Sequence, residues 1–175
     1  MNRPFHFKFT DIEEAGTFAG RASVFGVKDQ GGDIVKAGAF KASLAKHKAA
    51  GRMPAFLAHH DVTKPIGVWT EVEEQAGALV VMGKFALETE AGRECYALAK
   101  MGALDGLSIG YGIADGGSHY DAQAKATVLT KLDLWEISLV TFPMNEAARV
   151  SRVKSGDVPK GGADPTTRLL HLAQL

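Results

Sequence analysis

The chain has 175 residues, 46% hydrophobic and 23% charged, which suits one globular domain with a sizeable core. Its 20 basic and 20 acidic side chains give a formal net charge of zero, so nothing marks an electrostatic footprint for nucleic acid or an anionic membrane. Cys95, the single cysteine, excludes an internal disulfide and fits a reducing compartment, while the amino terminus MNRPFHFKF has no signal-peptide core and no apolar run reaches membrane-span length. A cytoplasmic origin is expected.

Phe5, Phe7 and Phe9 alternate with His6 and Lys8, which predicts a half-buried first strand. A second extended stretch covers Thr17 to Phe25, and KDQGGDIV then reads as a loop turning on Gly31 and Gly32. From Ala39 to Ala50 the period becomes helical, with Phe40, Leu44 and His47 on one face and Gly51 as the stop. Strands are expected at Pro54 to Ala58, Ile66 to Val72 and Ala78 to Phe85, the last two joined by EEQAG. Leu87, Ala91, Cys95, Leu98 and Met101 mark a second helix closed by Gly102.

The stretch GLSIGYGI follows. Leu107, Ile109, Tyr111 and Ile113 fall on one face of a strand, while Ser108, Gly110 and Gly112 fall on the other. That second face carries one hydroxyl and little bulk, which suits close approach by another backbone. Taken alone, Ser108 reads as a serine satisfied by a neighbouring strand. After a loop at Gly116 and Gly117, strands are expected at Ala126 to Leu132 and Leu134 to Phe142. From Gly156 the sequence GDVPKGGADPTT has linker composition. The expected architecture is α+β but mainly β, a closed antiparallel barrel-like sheet with flanking helices, with a domain over 1–155 and a flexible tail over 156–175.

Of the six histidines, His59 and His60 stand out. With Asp61 they end the apolar strand PAFLA and precede DVTKP, read as a turn, so they belong at a sheet rim where function collects. Adjacent histidines chelate poorly and no spaced partner pair exists, so neither a metal nor another cofactor is expected. In DLWEISLVTFP, alternation places Trp135, Ile137 and Leu139 on one face and Leu134, Glu136, Ser138 and Val140 on the other. A carboxylate there costs several kcal/mol unless it is paired. It is either half of an ion pair with an arginine or an acid that orients a histidine. GLSIG also matches G-x-S-x-G, but that elbow needs a strand before the serine and a helix after it, the reverse of the order here.

Together these residues resemble the prohead proteases of tailed phages, serine peptidases related in fold to herpesvirus assemblin. The resemblance rests on GRASVFGVKDQGGDIVKAGAF, LAHHDVTKPIGVW, KMGALDGLSIGY and LDLWEISLVTFPMNEAARV, in that order over most of residues 17 to 150. It implies Ser108 as nucleophile, His60 as base and Glu136 as third member, with His59 the competitor for that third role. Gly110 and Gly112 line the expected groove, and Arg149 and Arg152 are either helpers or surface charge. It further implies action inside the immature capsid, in the cytoplasm of a bacterial host, on the scaffolding segment of the major capsid protein and on the protease itself. A homodimer is allowed, and no nucleic-acid or membrane partner is expected.

Overall fold

Alternating residues in TFAGRASV make β1 (Thr17–Val24), whose inward ring Phe18 is the hub of the core. The structure, a computed structural model, describes residues 16–153 except residue 76. The expected strand at Phe5 to Phe9 and the tail over 156–175 lie outside the described residues.

Phe18 lies 4.8 Å from Phe85, 5.3 Å from Phe56 and 5.4 Å from Trp69, ring centroid to centroid. These rings come from β3 (Ala55–Ala58), β4 (Asp61–Gln75) and β5 (Ala78–Phe85). Gly83 pairs with Phe18 on one side and Trp69 on the other, and a Cβ there would meet both rings at 2.6 Å and 2.9 Å. A missing side chain on β5 thus lets two aromatic rings close over the sheet.

Seven strands form one sheet in the order β10-β1-β5-β4-β3-β9-β6, completed by β6 (Gly106–Ile113), β9 (Leu132–Val140) and β10 (Val150–Val153). A second sheet orders β2 (Asp33–Val35), β8 (Ala126–Leu129) and β7 (Ser118–Asp121) as β2-β8-β7. The mainly-β expectation with two helices holds; the closed barrel does not. β10 and β6 are the outer strands; among the described residues their edges meet through one isolated bridge, Gly106 with Arg149 just before β10, and the sheet curls without a full ladder closing it. One pair in it is also parallel, β3 with β9.

Helix α1 (Lys41–Ala49) follows the buried Phe40, and Ser43 on its inner face accepts a hydrogen bond from the Leu134 N–H (2.9 Å). Helix α2 (Glu90–Lys100) is capped by Thr89, whose hydroxyl accepts from the Gly92 N–H, and it buries Cys95 and Ala99; Met101 is exposed rather than on the packed face. Neither is long and apolar enough to cross a membrane. Three short strands, β2, β7 and β10, fall where no strand was expected; each has only three or four residues, too few to show a period.

Phe18→Ala should cost about 3–5 kcal/mol in urea unfolding, because four strands lose their shared contact. A loss below about 1 kcal/mol would remove Phe18 from the hub.

Candidate active site

β9 lies between the two strands that matter: β3 on one side and β6 on the other. The register sets Ser108 opposite Ser138 and Gly110 opposite Glu136. Beyond that pair it shifts, with Tyr111 opposite Leu134, so Trp135 is an extra residue in β9. The bulge corrects the simple alternation. Leu134 joins Ile137 and Leu139 in the core and Trp135 is turned out, 64% exposed, while Glu136 and Ser138 are buried.

His59 and His60 form the two-residue turn between β3 and β4, bracketed by the pair Ala58 and Asp61. Their φ angles are 51° and 61°, the left-handed pair that a type I′ hairpin turn needs. For residues other than glycine this costs on the order of 1–3 kcal/mol each, so it persists only where other contacts fix it. Two backbone contacts do so: the His59 N–H donates to Leu139 O and the His60 N–H to the Ser138 hydroxyl, both at 3.0 Å. The turn is therefore HH itself. DVTKP, expected as a turn, is an irregular opening to β4, in which residues 62–64 are extra between the pairs Ala58–Asp61 and Leu57–Pro65.

The turn brings His60 Nδ1 to 2.6 Å from Glu136 Oε1. A carboxylate can only accept, so Nδ1 carries the proton and Nε2 is left as an acceptor. The Ser138 hydroxyl donates to Glu136 Oε2 at 2.6 Å, so both carboxylate oxygens are engaged. The partner of Glu136 is thus a histidine and not an arginine. Gly110 explains how the carboxylate fits, since a Cβ at 110 would overlap Glu136 Oε1.

This overturns the groove reading of the glycine face. The space beside Gly110 is filled by the Glu136 carboxylate, and that beside Gly112 by the Trp135 ring, 2.7 Å from a built Cβ. Ser108 is 7% exposed and makes no hydrogen bond to His60 among the described residues. His59 lines a different hollow, beside Lys64, Glu94 and Cys95 of the α2 side. Asp61 serves its own segment: the Thr63 hydroxyl and N–H, with Lys64 nearby, hold its carboxyl below the usual range. Arg149 pairs with Asp105 at 2.7 Å, tying the loop after β9 to the start of β6.

Sequence reasoning missed Ser138 as a site residue. Its signal was there, two positions from Glu136 on the same face, but a serine in an apolar strand has many bland explanations.

The sequence profile of the caudovirus prohead serine proteases matches residues 5–160, and the chain belongs to this family. It is 32% identical over 151 residues to the prohead protease of Enterobacteria phage HK97, an alignment covering 86% of this chain and 65% of that protein. Against the prohead protease of Escherichia phage T5 the identity is 27% over 128 residues, covering 73% and 59%. The chain thus spans less than two thirds of either relative. In fold it is similar to the bacteriophage T4 capsid assembly protease, with a TM-score of 0.59 at 8% identity over 73% of this chain and 82% of that one.

Two substitutions probe the carboxylate's setting. Ser138→Ala should destabilise by about 1–3 kcal/mol in urea unfolding, because Glu136 Oε2 and the His60 N–H both lose a partner. Gly110→Ala should shift or erase the downfield proton resonance of His60 Nδ1–H; a spectrum like the native one would mean that Glu136 accommodates the methyl group.

Proposed function

We propose that this chain is a serine endopeptidase of prohead maturation, with Ser108 as nucleophile, His60 as general base and Glu136 as the acid that orients it. The observation that carries the reading is the bond from His60 Nδ1 to a buried carboxylate, which leaves Nε2 free to accept, on a strand paired with the one bearing Ser108. A serine hydroxyl is a poor nucleophile until a base within reach takes its proton. His60 Nε2 accepts that proton as Ser108 Oγ attacks the scissile carbonyl, then delivers it to the leaving amine. Water hydrolyses the resulting acyl-enzyme by the same exchange in reverse. Glu136 holds the tautomer and stabilises the imidazolium that forms in each half.

Family membership supplies the biological setting of the proposal: the scaffolding segment of the major capsid protein and the protease itself as substrates, inside the prohead. The division into a protease domain over 1–155 and a processed or targeting tail over 156–175 belongs to the same proposal, as does a homodimer. One observation favours a second reading, a non-catalytic assembly module with Ser108 and Glu136 as buried polar structure: Ser108 is not hydrogen-bonded to His60 among the described residues.

Co-expression with the cognate capsid precursor separates the two. Wild type should cut the precursor and Ser108→Ala should leave it whole; cleavage by the variant would remove Ser108 as nucleophile, and none by either would favour the module. Glu136→Gln should slow cleavage by roughly 100-fold or more, since the wrong tautomer is then allowed, whereas His59→Ala should cost less than about tenfold. The opposite ranking would move the third role to His59.

A further inference from the structure

A cavity of about 100 Å³ lies between β6 and the stretch 22–35, with Ser108 forming part of its wall. The polar groups around it are short of donors. Asp29 Oδ1 accepts from the Asp33 N–H (2.8 Å), and Asp33 Oδ2 accepts from the Tyr111 hydroxyl (3.3 Å). Neither carboxylate has a lysine or arginine within ion-pair distance among the described residues. Asn145 adds a further acceptor. Its Nδ2 donates to Val24 O at 3.0 Å, which fixes the amide orientation, and its Oδ1 is buried with no hydrogen-bond partner.

Burial of a polar atom without a partner is unfavourable, and an acceptor-rich cavity is completed by a group that brings donors and positive charge. The local field points the same way: burial first, then the charges of Asp33 and Asp29, push the Tyr111 hydroxyl up to about 12. The position matters as much as the chemistry. In acyl transfer, the side chain next to the attacked carbonyl sits one carbon from the reacting centre, so a cavity walled by the nucleophile's own residue is placed to receive it.

We propose, resting on the serine-peptidase reading above, that this cavity binds the side chain of the substrate residue whose carbonyl Ser108 attacks, and that Asp29, Asp33 and Asn145 select lysine or arginine there. The apolar part of the wall, which includes Val27, Val35 and Leu107, would pack the methylene stem of such a side chain while its cationic tip meets the carboxylates.

The test uses the full chain and two peptidyl diphenyl phosphonates, one ending in a lysine analogue and the other in its norleucine counterpart. In the labelling step Ser108 Oγ bonds to phosphorus, a phosphorus–phenoxide bond breaks, and the serine proton leaves through His60 with the phenol. The lysine probe should label Ser108 at least roughly tenfold faster than the norleucine probe, and Asp33→Asn, which keeps an acceptor for Tyr111, should bring the two rates within about threefold. Equal rates on the wild type, or a faster norleucine probe, overturn the cavity assignment while Ser108 remains the nucleophile. Selectivity that survives Asp33→Asn overturns the role of Asp33. Failure of both probes to label Ser108 overturns the nucleophile, and the cavity's role with it.

Discussion

The site depends on one buried carboxylate. Glu136 sits in a strand flanked on both sides, where an unpaired charge would cost several kcal/mol, and it is tolerated because both of its oxygens accept a strong hydrogen bond. Each of those bonds imposes a demand elsewhere. The bond to His60 requires the β3–β4 turn to stand over β9, which puts two histidines in left-handed conformations. The bond to Ser138 requires a hydroxyl where the strand would otherwise carry an apolar side chain. The carboxylate's volume requires Gly110 on the facing strand. Three sequence features that look unrelated (HH, the serine of EIS and the second glycine of GLSIG) therefore answer to a single electrostatic constraint.

Much of this was legible because the relevant signals are chemical as well as periodic. Glu136 stood out because a charged residue among leucine, isoleucine and valine demands a partner, and the pair His59 and His60 because it closes a short apolar strand; the choice of His60 within the pair came from the family resemblance. What could not be read was geometry that depends on non-local pairing. The two-residue turn at His59 and His60 lacks the Asn-Gly or Asp-Gly signature by which such turns are recognised. The bulge at Trp135 is a property of the register between β6 and β9, so strict alternation put Leu134 on the wrong face. Gly110 and Gly112 were correctly seen as lacking bulk, but a single strand does not reveal whether its neighbour or a ligand fills the space. Here the neighbour fills both. Closure failed for the same reason: the longer strands were readable, but the short edge strand β10 was not, and the pairing of the sheet's two outer strands is a long-range matter that among the described residues reaches only from Gly106 to Arg149.

The bulge also explains how β9 serves core and site at once. Before it, Leu132 and Leu134 point into the core; after it, Ile137 and Leu139 do so, and Glu136 and Ser138 are displayed on the opposite face. An unbulged strand carrying this sequence would place Leu134 on the same face as Glu136, beside the carboxylate. By inserting Trp135 the strand gains a face with only polar groups at the two positions that contact the turn.

Rigidity follows from that arrangement. Ile137 and Leu139 are fully buried, so β9 cannot shift along its axis without exposing them, and Glu136 and Ser138 are fixed by the same packing. The turn is anchored to β9 through the His59 and His60 N–H groups, so it inherits the precision of the core although it lies at the sheet's rim. β6, by contrast, pairs along its length only with β9 among the described residues, and beyond the Gly106 bridge its other edge borders the cavity beside Ser108. His60 and Glu136 are thus the firmly held half of the site, and Ser108 lies on the strand with fewer constraints. Under the serine-peptidase reading proposed above, a peptide that pairs with β6 would supply the missing ladder, and its arrival would also fix the strand that carries Ser108.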